Sequence, residues 1–186
     1  MSIFSVLEER LSPGPGDDFW YEPVTKFRGE TDVSPHSALS NTPVWAAVNL
    51  ISGTIGSMPL ILYKEIPDGG KERDRNRLYD MLRWQPNNFQ TAVEFFEMGQ
   101  GHLCLRGNAF FHLQTNRADE LIAIVPLHPD RMKLKLLSDG VIEYHYDENK
   151  GRPRAFSSEE ILHVKGLSSD GLIGYSPITI GAGAIA

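Results

Sequence analysis

The chain has 186 residues, 41% hydrophobic and 23% charged, with a formal net charge of −6, which is the composition of one soluble globular domain with at most a tail. The acidic balance argues against a protein that grips nucleic acid through its phosphates, since that takes clustered Lys and Arg, but it permits a surface that lets DNA slide past. One cysteine excludes an intrachain disulfide, no apolar run of about 18 residues suggests a membrane span, and Glu8 and Glu9 stand where a secretory signal would need apolar residues, so synthesis in a reducing cytosol is expected.

Residues 2–11 can form a short amphipathic helix through Ile3, Val6, Leu7 and Leu11, marginal in isolation at that length. Residues 12–37 are rich in Pro, Gly, Ser and Asp without sustained periodicity and read as flexible. The chain therefore divides into an N-terminal arm, 1–37, and a domain, 38–186. Phe19, Trp20 and Tyr21 interrupt the arm. They either fold back on the domain or dock on a neighbouring subunit, and they form the first candidate oligomer contact.

The stretch from Ser40 to Lys64 predicts a capped helix running into a buried strand. Asn41 or Thr42 supplies the cap and Pro43 falls near the first helical position. Val44, Val48, Ile51, Ile55 and Met58 recur at helical spacing as one apolar stripe, and Ala46, Ala47, Gly53 and Gly56 keep the surface thin. Pro59 stops the helix, and Leu60-Ile61-Leu62-Tyr63 is a β-rich run. A turn at Pro67-Asp68-Gly69-Gly70 leads into a charged connection, Lys71 to Arg77. Its cations, Arg73, Arg75 and Arg77 among them, suggest a phosphate site less well than a solvated loop, and they form the second candidate oligomer contact. A short helix, Leu78–Leu82, ends before Pro86.

Thr91 caps the second long helix, with Glu94 three residues on as in a capping box. Val93, Phe96, Leu103 and Leu105, widened by Phe95 and Met98, give its apolar face. Gly99 and Gly101 mark a close helix contact, and Gly107 suits a left-handed closing residue. Asn108 can close the turn on its own backbone before a strand, Ala109–Leu113. Cys104 reads as packing. From Asp119 onward the chain is β-rich. Leu121–Val125 leads to Pro126-Leu127-His128-Pro129-Asp130, Arg131–Leu137 alternates apolar and basic residues, Ser138-Asp139-Gly140 is a hairpin turn, and Val141–Tyr146 is the partner strand. Ser157 and Ser158 precede Glu159-Glu160 and a strand Ile161–Val164, and Ser176-Pro177 opens a further helix.

Chemistry is not signalled. His36, His102, His112, His128, His145 and His163 are scattered and form no metal or catalytic spacing. No serine stands in a nucleophile elbow. The His128-Pro129-Asp130 triplet lacks a third ligand and reads as a turn. Gly181-Ala182-Gly183-Ala184-Ile185-Ala186 fits a dinucleotide glycine pattern only superficially, without the strand–helix–strand context. No catalytic, cofactor or metal residue is assigned, and a non-enzymatic protein is expected.

Several of these segments, in this order, resemble the tailed-phage portal proteins of the HK97-like family. They are VWAAVNLISGTIGSMPL entering an LYK strand, LYDMLRWQPN, LRGNAFFHL, IVPLHPDRMKLKL, and EEILHVKG followed by GYSPI. The resemblance covers roughly residues 38–180. It implies an α+β fold in which two long helices pack on a mixed, mainly antiparallel sheet like a portal wing, with the flexible N-terminal arm outside it. It further implies a homo-oligomeric ring, usually a dodecamer, at the capsid vertex of the virion, assembled in the host cytoplasm. Such a ring passes double-stranded DNA during packaging and ejection. The implied partners are the major capsid or scaffolding protein, the large terminase and a head–tail adaptor, with no membrane and no cofactor. The family's stem, clip and crown follow the Ser-Pro step, so the chain reads as truncated before them, as in a prophage remnant. The alternative is a small phage or prophage adaptor or scaffold module that is stable as a monomer.

Overall fold

A computed structural model describes residues 34–138, 140–148 and 153–181. The readings made for residues 1–33, Phe19, Trp20 and Tyr21 among them, and for the run from residue 182 onward lie outside the described residues. The elements are α1 (Pro35–Ala38), α2 (Thr42–Ser57), β1 (Tyr63–Glu65), β2 (Lys71–Arg73), α3 (Arg77–Arg83), α4 (Ala92–Arg106), β3 (Asn108–Thr115), β4 (Leu121–Leu127), a 3-10 turn (Pro129–Arg131), β5 (Met132–Leu136), β6 (Ile142–Tyr146), β7 (Arg154–Phe156), β8 (Ile161–Lys165) and α5 (Pro177–Ile180). Helix α1, capped by Ser34, crosses the expected boundary between arm and domain at 37/38.

Helix α4 begins at the anticipated capping box. Glu94 N–H donates to Thr91 Oγ1, and Thr91 N–H donates to Glu94 Oε2 at 2.7 Å. It ends at Gly107, whose φ of 70° is left-handed, and the chain turns straight back into β3. This strand is the centre of an antiparallel sheet ordered β4-β3-β8, while β5-β6-β7 form a second antiparallel sheet. Alternation along β3 divides the core between its two faces. Ala109 and Phe111 meet Phe95 of α4, Met81 of α3 and Ile124. Phe110 meets Met132, Leu134, Tyr144 and Phe156 of the second sheet. The result is a helix layer, a sheet and a second sheet, in α+β order, with every strand pairing among the described residues antiparallel. A smaller cluster of Ala38, Leu105 and Ile178 sits under Val44 and Val48 at the start of α2.

Three sequence-based readings change. The buried strand expected at Leu60–Tyr63 is instead an exposed hairpin, with only Tyr63 in β1 and both β1 and β2 exposed throughout. It pairs Tyr63 with Arg73 and Glu65 with Lys71, and among the described residues it has no third strand. The charged connection is not all loop. Lys71–Arg73 is β2, and Arg77 opens α3 behind an Asn76 cap. Gly99 serves a strand contact rather than a helix contact, since a Cβ there would stand 2.8 Å from the Phe111 ring, while Gly101 does face Ser52 of α2.

Candidate subunit interface

Helix α2 packs on α4 with the residues that sequence periodicity leaves out. Ser52 is 4% exposed and Gly56 is buried. A Cβ on Gly56 would stand 3.0 Å from Glu97 Cβ and from the Val93 carbonyl oxygen, so the helices meet backbone to backbone. The apolar stripe expected to be core divides in two. Val44 and Val48 are partly buried against Ala38, Leu105 and Ile178, whereas Ile51, Ile55 and Met58 are exposed, Met58 at 56%. Leu50 is 70% exposed, and Trp45, Leu60 and Val93 are exposed as well. Ile51, Ile55 and Met58 share one side of α2 by helical spacing, and soluble monomers rarely leave such a stripe in water. Sequence periodicity puts Ile51, Ile55 and Met58 on the same apolar stripe as Val44 and Val48. The available signal was the pair Ser52 and Gly56 at i, i+4, which marks the tighter face.

The second candidate contact lies on and after the hairpin. Arg73 is at the end of β2, Arg75 follows it, and Arg77 opens α3; all three are exposed. Glu72 precedes them, Asp74 stands between Arg73 and Arg75, and Glu72 lies 3.4 Å from Lys64, so carboxylates are interleaved with cations along this segment. Of the three, only Arg73 belongs to the hairpin; Arg75 and Arg77 lie beyond it.

A third feature holds the segment before α5 against the α4–β3 corner. Asn108, fully buried, donates through Nδ2 to the Arg106 and Gly174 carbonyls at 3.0 and 2.7 Å. Its Oδ1 accepts from Gly174 N–H at 2.8 Å and lies 3.0 Å from His163 Nε2. Because Oδ1 can only accept, that nitrogen carries the proton, and Nδ1 is left facing the Tyr144 hydroxyl at 3.4 Å. Burial, and then Lys165, push the His163 pKa down to about 3, so the ring is neutral at pH 7. A Cβ on Gly107 would land on the Tyr175 carbonyl, and one on Gly174 on the Gly107 carbonyl. Ser176 Oγ donates to the Leu105 carbonyl at 2.7 Å and accepts from Thr179 N–H, so one hydroxyl closes α4 and opens α5. The sequence shows Asn108 as a local turn and Ser176 as a cap, but not that Asn108 reaches Gly174 or that Ser176 reaches Leu105.

The remaining polar cluster is structural. Arg106 grips Asp130 through Nε and Nη2 at 2.7 and 2.6 Å, and His128 Nδ1 accepts from Asp130 N–H at 3.2 Å, which makes the His-Pro-Asp triplet a helix-type cap. The His102 and His128 rings lie 5.6 Å apart. Burial, the neighbouring His128 and Arg106 hold the His102 pKa down to about 4. Among the described residues, no group of three or more His, Cys, Asp or Glu is placed to hold a metal ion, and no helix is long and apolar enough to cross a membrane.

Comparison with known proteins places these features in context. The family model described as phage portal protein matches residues 42–186. The portal protein of Enterobacteria phage HK97 is 34% identical over 170 residues, covering 90% of this chain and 40% of the relative. Among solved structures, a chain from the virion of a native gene transfer agent particle superposes with a TM-score of 0.66 at 25% identity, over 81% of this chain and 41% of that one. A chain from the neck of the native particle, computed with C12 symmetry, has a TM-score of 0.64 at 23% identity over 90% of this chain and 46% of that one, a likeness of fold. The chain thus spans about two fifths of the length of these relatives.

Proposed function

The chain belongs to the phage portal protein family, and from that membership we propose that it is a structural subunit of a portal ring at the capsid vertex of a virion. In this reading the domain supplies wing surface, subunits meet through exposed apolar and hairpin surfaces, and the ring passes double-stranded DNA without gripping it. Major capsid or scaffolding protein, large terminase and head–tail adaptor are its proposed partners, met during assembly in the host cytoplasm. The domain works by contact rather than catalysis.

The observation that carries the reading is the outward-facing stripe of α2, with Leu50, Ile51, Ile55 and Met58 exposed on a helix whose small residues occupy the packed face. A stable monomer has no use for that arrangement, whereas a subunit does. The neck computed with C12 symmetry, whose chain has the same fold, supports a ring, and the acidic balance is compatible with DNA passing without being gripped. Light scattering over a concentration series tests it. The chain is expected to associate as concentration rises, and Leu50→Glu with Ile55→Glu is expected to return it to monomer mass. A stable monomer at every concentration would favour the adaptor alternative.

A further inference from the structure

Among the described residues, the β8 strand and the β2 strand each have one strand partner and so leave one edge unpaired. In the sheet β4-β3-β8 the β4 edge is closed, because Ile124 N–H donates to the Pro86 carbonyl at 2.8 Å and Asn87 Nδ2 donates to the Ile124 carbonyl at 3.0 Å. The β8 edge has no such cover: among the described residues β3 is its sole strand partner. Leu113 N–H donates to the Glu160 carbonyl and Gly166 N–H to the Gly107 carbonyl, each at 2.8 Å. Antiparallel alternation therefore turns the even positions of β8 toward β3 and the backbone groups of Ile161, His163 and Lys165 outward. Leu162 and Val164 are exposed beside that edge, and Lys165 at its end is the one charged residue in the strand.

The second edge belongs to the hairpin. Asp74 N–H donates to the Leu62 carbonyl and Ile66 N–H to the Gly70 carbonyl, both at 3.0 Å, so on the β2 side Lys71 and Arg73 turn their backbone groups outward. A two-stranded hairpin exposed on both faces is marginal by itself in water. It gains a third strand wherever it meets an open sheet.

We propose that β2 of one copy adds antiparallel to the β8 edge of the next copy, making the sheet β4-β3-β8 continuous across the subunit boundary. Charge selects both orientation and occupant. The antiparallel arrangement brings Arg75 and Arg77, exposed beyond β2, beside Glu159 and Glu160 at the start of β8, whereas the parallel arrangement sets them beside Lys165. With Arg73 opposite Ile161, Lys71 falls opposite His163 and Arg75 opposite Glu159. The two patches differ, so the contact is head-to-tail, the type that propagates round a ring. The inference rests on the ring-subunit reading and specifies how its subunits meet.

Backbone amide exchange followed by NMR, with mass by light scattering on the same full-length samples, tests it. Expected are fast exchange at Ile161, His163 and Lys165 in dilute monomer and at least tenfold slowing on association. Arg75→Glu or Glu159→Arg alone should weaken association about tenfold, and the two together should restore it. Both positions are exposed, so neither change threatens folding. Association with unchanged exchange at these three amides would overturn the inference and leave the ring reading standing. Protection already complete in the monomer would assign the edge to the chain's own residues and overturn it as well. A chain monomeric at every concentration would overturn both.

Discussion

Asn108 ties together three segments that are far apart in sequence, and its chemistry makes it hard to replace. It donates twice and accepts twice, from the Arg106 carbonyl on one side to Gly174 and His163, 66 and 55 residues away, on the other. Asn108→Asp keeps the shape and loses both donors, setting a carboxylate against two carbonyls. At pH 7 this should cost about 3 kcal/mol in urea unfolding, and a cost under about 1 kcal/mol would show that the latch does not hold the corner. The neighbouring His163 sets a pH dependence. Its folded pKa of about 3, and that of His102 at about 4, lie below the unfolded value of about 6.5. The unfolded state therefore binds more protons, and the stabilisation present above pH 6.5 is lost as pH falls toward 4. His163→Gln should flatten the stability profile between pH 6.5 and 4.5 by up to about 1.4 kcal/mol per pH unit, one proton's worth. Equal slopes in the two proteins would refute the assignment.

At the scale of elements, α2 carries the sharpest contrast. Gly56→Ala adds one methyl group against the Val93 carbonyl and Glu97 Cβ, both at 3.0 Å, and should cost about 1–3 kcal/mol by overpacking. Ile55→Glu changes far more chemistry on the exposed face and should cost under about 0.5 kcal/mol. Thermal or urea unfolding of the two variants at a concentration where the chain is monomeric decides the matter, and a larger loss at Ile55 would restore the stripe to the core. The helix ends were legible in the sequence because capping is local: Thr91 with Glu94, Gly107, and Ser176 before Pro177 stand where they were read. The face of α2 was not legible. Periodicity says that an apolar stripe is to be buried somewhere, not that the burying surface belongs to the same chain. The hairpin departs from its sequence pattern for a related reason, since Leu60–Tyr63 has strand composition but only Tyr63 enters a strand, whose one ladder among the described residues is with β2. The joint around Asn108 left only its local half in the sequence, because contacts at separations of 55 and 66 residues have no local signature. The arginines at 73, 75 and 77 are visible in the sequence as a cluster, while the placing of Arg73 on β2 and of Arg77 at the start of α3 required the fold.

For the whole molecule the decisive quantity is charge density. A net charge of −6 repels a polyanion at long range, and several cations already have internal partners. Arg106 is held by Asp130, Lys64 lies beside Glu72, and Lys165 donates to the Gly171 carbonyl. The exposed run Arg73, Arg75 and Arg77 alternates with Glu72 and Asp74, which lowers its local potential further. Random-sequence duplex DNA should therefore bind this chain, if at all, with a Kd weaker than about 10⁻⁶ M at physiological salt. Were the three arginines the whole contact, the slope of log K against log salt would not exceed about 3 in magnitude, since each neutralised phosphate contributes about 0.9. Fluorescence anisotropy across a salt series reads both quantities. Weak, shallow binding fits a conduit wall, along which DNA must move in either direction without being caught at each step. A tight, sequence-specific complex at physiological salt would require base contacts and a steep electrostatic term that this charge distribution does not provide, and it would overturn the conduit reading directly.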